Sequence, residues 1–272
     1  MSNLFEIVSK FCCDNRNDIF QDYMQKRRWS QETVDQWGIG YFPVNKLLDL
    51  KVLIQANGFD SRDLQQAYII KDNGYQGDES IFENRIVFPV RDEFGKYVAI
   101  TGRTLQEDYD GKKYFNTHFE KGNTLYGLNF ALEEIRKRNI VYVFEGNADV
   151  VTLHQADIKN TVCVMGTAFR DDHLVLLSGY AKNVVLIFDN DTGGKGALGA
   201  FNERRIDERR KKGVNVFRCT LNDYRKKQYK DADDFIKGAG REELLAFIDR
   251  SIKDPVVQQR LKAIKRQKKV DK

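Results

Sequence analysis

The spacing of apolar residues changes along the chain and predicts helices over its first third. Apolar positions recur there at intervals of three and four, as at Leu4, Val8 and Phe11, which is the pattern of an amphipathic helix. Ser30 and Gly38 are a typical N-cap and C-terminal glycine for one such helix. Helices are predicted at 3–13, 19–24, 30–37, 47–56 and over a short segment capped by Asp60 or Ser61, and the polar stretch 72–80 predicts a loop.

Between residues 85 and 138 the pattern changes from extended to helical. The segments 85–91 and 97–103 are rich in β-branched and aromatic residues, and the turn between them contains Gly95, which predicts a hairpin. A polar loop is predicted at 106–112. Residues 113–121 mix basic and aromatic side chains without a regular period, and 129–138 predicts a helix.

From residue 140 onward, short apolar runs alternate with helical segments. Strands are predicted at 140–145, 161–165, 183–188 and 214–219, with helices at 148–156, 171–181 and 194–212. This alternation indicates a parallel sheet covered on both faces, with right-handed crossovers. The fold class predicted is therefore a mixed α+β lobe over 1–130, an α/β lobe with a mainly parallel sheet flanked by helices over 131–240, and a short basic helical tail over 241–272.

Carboxylates stand at the ends of two of the predicted strands. Glu145 is followed at once by a glycine and then by Asp149, while Asp189 and Asp191 end the run NVVLIFDND. Strand ends that are followed by glycines and helices form the ligand crevice of a parallel sheet. A single acid there commonly only caps the next helix. Four acids brought together would repel one another, and Mg²⁺ or Mn²⁺, which prefer oxygen ligands, would relieve that repulsion.

A third acidic cluster follows the last predicted strand. The motif KDADDF places Asp231 and Asp233 at the start of a predicted helix. Alone, such a cluster is usually an interaction with the helix dipole. Its position at the same edge of the sheet makes it a candidate extension of the metal site.

Charge and cysteine content narrow the class of protein. The 272 residues carry a net charge of +5, and the segment 253–272 alone contains eight Lys or Arg and two Asp. A basic tail on a body with acidic sites suits a polyanion partner together with a metal site, and a solvated basic helix is the plainer alternative. The four cysteines form no CxxC pair, so we expect no zinc site in this chain and a reducing cytoplasm. The sequence shows no signal peptide and no apolar run of membrane-spanning length, so no membrane partner is expected.

These motifs resemble a known family. EGNADV at 145–150, GTAF at 166–169 and FDNDTGG at 188–194 resemble the TOPRIM module. The flanking motifs WSQETVDQWGIGYFP, NRIVFPVRDEFGKYVAITGR, KKYFNTHFEKGNTLYGL and KDADDF are similar, in this order, to the RNA-polymerase domain of bacterial-type replicative primases, the DnaG family. The resemblance covers about residues 15 to 250.

The resemblance implies an activity, cofactors and partners. The family makes short RNA primers from nucleoside triphosphates on single-stranded DNA with Mg²⁺ or Mn²⁺ at two or more sites. In this chain the family's metal-site acids fall on Glu145, Asp149, Asp189, Asp191, Asp231 and Asp233. Of these, Asp149 and Asp233 would bind metal through water or support the other ligands. Glu145, Asp189 and Asp191 are the catalytic candidates, and the sequence leaves open whether Glu145 is a metal ligand or the general base. Nucleotide or template contacts fall on Arg85, Arg103, Lys113, Tyr114 and Lys121. The tail residues Lys262, Lys265, Arg266, Lys268 and Lys269 are expected to bind nucleic-acid phosphates.

Some features depart from the family pattern. The family usually has an N-terminal zinc ribbon and a C-terminal helicase-binding bundle, and neither is expected here. Asn147 stands where an aromatic residue is common, and Phe169 and Arg170 replace small polar residues. A minimal chain of this kind suits a phage or plasmid primase that works in the bacterial cytoplasm or nucleoid with a separate replicative helicase or zinc-ribbon polypeptide.

Two other functions remain open on the sequence. A TOPRIM nuclease would cut nucleic acid with the same metals, although the primase-like motifs before residue 130 argue against it. A non-catalytic DNA-binding accessory of the replication machinery is the other alternative. A topoisomerase is disfavoured because the chain has no room for a separate domain with a tyrosine nucleophile.

Overall fold

The computed structural model describes residues 1–106, 113–120, 122–166, 169–188, 213–221 and 229–252. Internal contacts divide the chain into two units, residues 1–120 and residues 121–272. Within the described residues, no helix is both long enough and apolar enough to cross a membrane.

The first unit contains five α-helices among the described residues. They are α1 (Ser2–Asp14), α2 (Asp18–Arg27), α3 (Gln31–Trp37), α4 (Leu47–Ala56) and α5 (Ser61–Gln66). Three of them, α2, α3 and α5, begin at a side-chain cap. The hydroxyl of Ser30 accepts the N–H of Thr33 at 3.1 Å at the start of α3, and Gly38 ends that helix in the left-handed region. Asp60 forms a capping box with Asp63 at the start of α5. The helices predicted over this part of the sequence are therefore present.

An antiparallel sheet carries the first unit's core. Its strands are β1 (Gly40–Phe42), β4 (Arg85–Arg91), β5 (Tyr97–Thr104) and β6 (Tyr114–Asn116), in the order β1-β4-β5-β6. The predicted hairpin of β4 and β5 is confirmed, with a register shift between Val90 and Arg91. Helix α1 packs against this sheet and contributes Leu4 and Val8 to the core.

Two predictions for this unit were wrong. The segment 72–80 was predicted to be a loop, but it contains a turn between two short paired strands, β2 (Ile70–Asp72) and β3 (Asp78–Ser80). Residues 113–121 were predicted to be irregular, but β6 within them pairs with β5, and Phe115 lies opposite Gly102. Three-residue strands are too short to show an alternating pattern, so their partners determine them.

The second unit contains the predicted parallel sheet. Its strands are β7 (Ile140–Phe144), β8 (Thr161–Cys163), β9 (Asn183–Phe188) and β10 (Asn215–Thr220), in the order β10-β9-β7-β8 with every neighbouring pair parallel. The helices are α6 (Leu128–Arg138), α7 (Asn147–Gln155), α8 (Asp171–Ser178), α9 (Ala232–Ala239) and α10 (Arg241–Ser251). The predicted fold class is thus confirmed. The predicted helix 194–212 and the tail after 252 lie outside the described residues.

The strands β7, β8 and β9 of the parallel sheet are buried along their whole length, as their apolar runs predicted. The core includes Val143, Leu186 and Phe188, packed with side chains from α6 and α8. At the β8 edge the backbone of Cys163 exchanges two hydrogen bonds with Tyr126, at 3.0 and 3.1 Å, in an antiparallel bridge.

Candidate functional site

The end of β7 presents two of the predicted acids. Glu145 follows the strand and is half-buried, and α7 begins two residues later. Asp149 lies in the first turn of α7 and is 8 % exposed. A Cβ atom at Gly146 would lie 2.5 Å from Oδ2 of Asp149. Any other residue at this position of the EGxxD motif would have to displace the Asp149 carboxylate, so the glycine allows that carboxylate to keep its place.

The start of α9 presents the other two described acids. Asp231 is the N-cap of this helix, and its Oδ1 accepts the N–H of Asp234 at 2.8 Å. The backbone N–H of Asp233 donates to Oδ1 of Asp149 at 3.2 Å. The carboxylate at the first turn of α7 is therefore held by the N-terminal end of α9, as the favourable end of the helix dipole predicts.

The side chain of Asp233 is engaged on both oxygens. Its Oδ1 accepts the hydroxyl of Thr152 at 2.8 Å, and its Oδ2 accepts Nζ of Lys237 at 2.7 Å. The residue is 4 % exposed. Thr152 and Lys237 were not singled out in the sequence. The contact between Asp233 and Lys237 could have been predicted, because residues four apart on one helix are neighbours. The contact with Thr152 could not, because Thr152 lies 81 positions from Asp233.

The chemistry of these side chains fits a hard divalent cation. Glu145, Asp149 and Asp231 supply carboxylate oxygens, which Mg²⁺ and Mn²⁺ prefer. No group of three His, Cys, Asp or Glu side chains arranged to hold a metal ion is found among the described residues. The predicted ligands Asp189 and Asp191 follow β9 in sequence and lie outside the described residues. Their membership of the site stays a prediction.

The predicted contact Arg85 is a buried arginine at the start of β4. It is 8 % exposed, and its Nε donates to the carbonyl of Ile81 at 3.0 Å. Its guanidinium also reaches the carbonyl of Lys113, at 3.5 Å. Arg85 lines a pocket of about 460 Å³ in the first unit together with Lys71 and Phe115. These contacts hold the arginine in a fixed place at the wall of that pocket.

Arg103 lies between two tyrosines of the first unit. It donates to the hydroxyl of Tyr23 at 2.8 Å. Its guanidinium lies 5.4 Å from the ring centre of Tyr23 and 5.8 Å from that of Tyr114, its cross-strand partner. Lys113 precedes Tyr114 and is exposed. The structure thus brings three of the predicted nucleotide or template residues, Arg103, Lys113 and Tyr114, to one end of the β5–β6 pair. Lys121 and the five tail residues lie outside the described residues.

One partly buried titratable group lies on the helix that carries Asp149. Nε2 of His154, in the last turn of α7, is 2.9 Å from the carbonyl oxygen of Thr161. Burial lowers the pKa of His154 to about 4, and the contact with Thr161 offsets this only in part. The imidazole is therefore neutral in the folded protein at neutral pH.

We expect His154 to make the fold sensitive to acid. In the unfolded chain a histidine titrates near pH 6.5, so below that pH the unfolded state binds the extra proton first and stability falls until about pH 4. The expected loss over this range is on the order of 3 kcal/mol. Urea unfolding at pH 7.5, 6, 5 and 4 measures it. His154→Gln should flatten this decline, while His118→Gln, which replaces an exposed histidine, should keep it. Parallel curves for all three proteins would contradict the assignment.

Two protein families match most of this chain. The family described as DNA primase catalytic core, N-terminal domain, matches residues 9–132, and the family described as Toprim-like matches residues 142–236. The DNA primase of Clostridium acetobutylicum is 32% identical over 244 residues, which cover 87% of this chain and 38% of that protein. The DNA primase of Helicobacter pylori strain J99 is 32% identical over 232 residues, which cover 80% of this chain and 39% of that protein.

Solved structures match over nearly the whole chain. The DnaG primase catalytic domain bound to ssDNA has a TM-score of 0.78 and 27% identity, with 92% of this chain and 81% of that chain covered. The zinc binding and RNA polymerase domains of the Aquifex aeolicus primase have a TM-score of 0.76 and 25% identity, with 92% and 60% covered. The chain spans less than two fifths of the length of the two curated relatives named above.

Proposed function

This chain belongs to the DnaG-type primase family, with the primase catalytic-core N-terminal domain followed by a Toprim-like domain, and from this we propose that it makes RNA primers. The reaction is nucleotidyl transfer from nucleoside triphosphates on a single-stranded DNA template. The observation that carries the proposal is the carboxylate of Asp149, which Gly146 admits at the end of β7 and the first turn of α9 holds in place.

The acids at this edge of the sheet would hold divalent metal. Glu145, Asp149 and Asp231 are the proposed ligands in the described part of the chain, joined by Asp189 and Asp191. Bound Mg²⁺ or Mn²⁺ would offset the negative charge of the triphosphate and polarise the attacking 3′-hydroxyl. The chain's own part is to fix the ligands before substrate arrives. It does so through the N–H of Asp233 on Asp149 and the helix-capping contact of Asp231.

The first unit would hold the nucleotide or the template. A guanidinium carries five N–H groups, and the hydrogen bond from Arg103 to the Tyr23 hydroxyl uses one of them. Arg103 can therefore donate further hydrogen bonds to a phosphate. The ring of Tyr114 lies beside the Arg103 guanidinium and is half-buried, and we propose that this aromatic side chain contributes to base binding by stacking. Lys113 is exposed and can meet a phosphate. The tail from Lys262 to Lys269 would add phosphate contacts without sequence preference.

A primer-synthesis assay separates the proposal from its alternatives. The chain is incubated with labelled ribonucleoside triphosphates, single-stranded DNA and either Mg²⁺ or Mn²⁺. New RNA of primer length supports the proposal. Shortened DNA would indicate a TOPRIM nuclease, and DNA binding without either product would indicate a non-catalytic accessory. No contact among the described residues favours the nuclease or the accessory.

Arg103→Gln tests the proposed template surface. We expect weaker binding of single-stranded DNA by roughly tenfold and a shallower salt dependence, by about 0.7 in the slope of log K against log salt, because one phosphate contact is lost. Fluorescence anisotropy at several salt concentrations measures both. Arg138→Gln is the matched control, because Arg138 pairs with Glu134 on α6 in the other unit. Equal slopes for the two variants would remove Arg103 from the template surface.

Partner proteins are proposed to supply what the described residues do not. The solved Aquifex aeolicus structure includes a zinc-binding domain, and this chain covers 60% of that structure. The four cysteines of the present chain are all free, and three of them are buried. We propose that a separate zinc-ribbon or replicative helicase polypeptide in the bacterial cytoplasm raises the local concentration of template. The isolated chain is then expected to prime weakly and with little sequence preference at about 150 mM salt.

A further inference from the structure

We propose that Lys237 serves as a built-in cation for Asp233, so that Asp233 positions Asp149 and does not bind a divalent metal. The sequence left open whether Asp233 binds metal through water or supports the other ligands, and the contacts of Asp233 favour the supporting role. It rests on the proposed function only in taking Asp149 as a metal ligand. The residues that carry it are Thr152 on α7 and Asp233 and Lys237 on α9.

The carboxylate of Asp233 has its two oxygens occupied within the protein. Thr152 donates to Oδ1 at 2.8 Å, and Lys237 donates to Oδ2 at 2.7 Å. The side chain of Asp233 is 6 % exposed and that of Lys237 is 21 % exposed, so water screens this pair only weakly. A buried carboxylate needs a compensating charge, and the ammonium group one turn later on the same helix supplies it.

A metal ion at Asp233 would have to compete with this ammonium group. A divalent ion at Oδ2 would share that atom with the Lys237 ammonium group, and one at Oδ1 would still lie close to the ammonium charge. Both alternatives are unfavourable in a site that little water reaches. Asp231 differs, because it is half-buried and its helix-capping contact uses one oxygen. The two acids of the DADD motif therefore have different roles.

The same contacts fix the position of Asp149. Asp149 and Thr152 are three residues apart, so they lie on one face of α7. Asp149 accepts the backbone N–H of Asp233, and Thr152 donates to the Asp233 side chain. Helix α7 is thus attached to a single residue of α9 at two points. We define Thr152, Asp233 and Lys237 as the clamp, and the clamp sets the direction in which Asp149 presents its carboxylate.

The test measures metal-free stability and manganese binding for Asp233→Asn and Lys237→Met. If an acid is a metal ligand in a repulsive cluster, its replacement should stabilise the metal-free protein. If the acid belongs to the clamp, its replacement should destabilise the protein, because the lysine ammonium group loses its partner. We therefore expect Asp233→Asn to lower the Tm in EDTA by about 5 °C or more and to retain the number of bound Mn²⁺ ions seen in the unaltered chain.

Lys237→Met gives the second, independent arm. This substitution removes the ammonium group that contacts Oδ2 of Asp233. We therefore expect added Mn²⁺ to raise the Tm of Lys237→Met by more than it raises the Tm of the unaltered chain. Lys230→Met is the control of equal charge, because Lys230 is exposed beside the same acids and its backbone, not its ammonium group, contacts the cluster. That variant should respond to Mn²⁺ as the unaltered chain does.

The opposite results would overturn the inference. These are a higher Tm of Asp233→Asn in EDTA together with the loss of one bound Mn²⁺, as counted by electron paramagnetic resonance of the free ion. An equal Mn²⁺ response of Lys237→Met and Lys230→Met would also overturn it. Neither readout needs catalysis. A failure of the unaltered chain to make primers would therefore count against the proposed function and not against the clamp.

Discussion

Replacing Asp149 by asparagine is expected to reduce primer synthesis by on the order of 10²–10³-fold. The amide has nearly the shape of the carboxylate and can still accept the N–H of Asp233, so the contact at 3.2 Å survives. What is lost is a negative charge that holds divalent metal, and metal is proposed to stabilise the developing charge by several kcal/mol. The measurement is the rate of labelled primer formation at saturating nucleotide, with circular dichroism to confirm the fold.

Asp234→Asn is the matched control for this result. Asp234 belongs to the same acidic run but is exposed, and its Oδ2 accepts the backbone N–H of Lys230 at 3.3 Å. Its rate should stay within about twofold of the unaltered chain. Synthesis by Asp149→Asn within tenfold of the unaltered rate would show that Asp149 is not a metal ligand. In that case the acids at the end of β9 would have to carry the metal without it.

Gly40→Ala is expected to destabilise the first unit by roughly 3 kcal/mol, a loss of roughly 10 °C in Tm. An added Cβ at Gly40 in β1 would lie 2.4 Å from the carbonyl carbon of Cys12 and 2.6 Å from the backbone N of Cys13. These are backbone atoms of α1 and cannot rotate away as the end of a side chain can. The helix itself must move from the sheet. Thermal unfolding followed by circular dichroism measures the change.

Gly179→Ala separates this clash from a general effect of replacing glycine. Gly179 follows α8 with a φ of −70°, and the nearest atom to an added Cβ is the carbonyl oxygen of Leu176 at 3.5 Å. That is an ordinary contact in a helical conformation, so the variant should keep its stability or gain slightly. A loss for Gly179→Ala as large as that for Gly40→Ala would show that the close approach of α1 to β1 is not the cause.

Long periodic elements could be predicted from the sequence because their pattern is local. The helix from Gln31 to Trp37 begins at a hydroxyl cap and ends at a left-handed glycine, as its residues indicated. The buried strands β7 and β9 are continuous apolar runs, which a sheet covered on both faces requires. The short strands β1, β2, β3 and β6 could not be predicted in the same way, since pairing with distant segments forms them.

In the candidate site, too, residues close in sequence could be predicted and contacts between distant residues could not. Glu145 and Asp149 could be located from the strand end and the glycine between them, which are neighbours in sequence. The contact of Asp233 with Thr152 joins residues 81 positions apart, and that of Arg103 with Tyr23 joins residues 80 positions apart. The spacing of apolar residues does not indicate contacts between residues so far apart in the sequence. Sequence similarity places Asp233 among the acids of the metal site, whereas its contacts with Thr152 and Lys237 indicate that it supports Asp149.

The β8 edge of the parallel sheet affects whether copies of the chain can associate by strand addition. An edge strand with unpaired backbone groups is a template for strand addition and aggregation. Here the strand is three residues long, the carbonyl of Thr161 is in contact with His154, and the N–H and C=O groups of Cys163 pair with Tyr126. A second chain therefore finds no run of open hydrogen-bonding groups along β8. The parallel sheet is protected at this edge against growth into fibres, without a charged or proline residue in the strand.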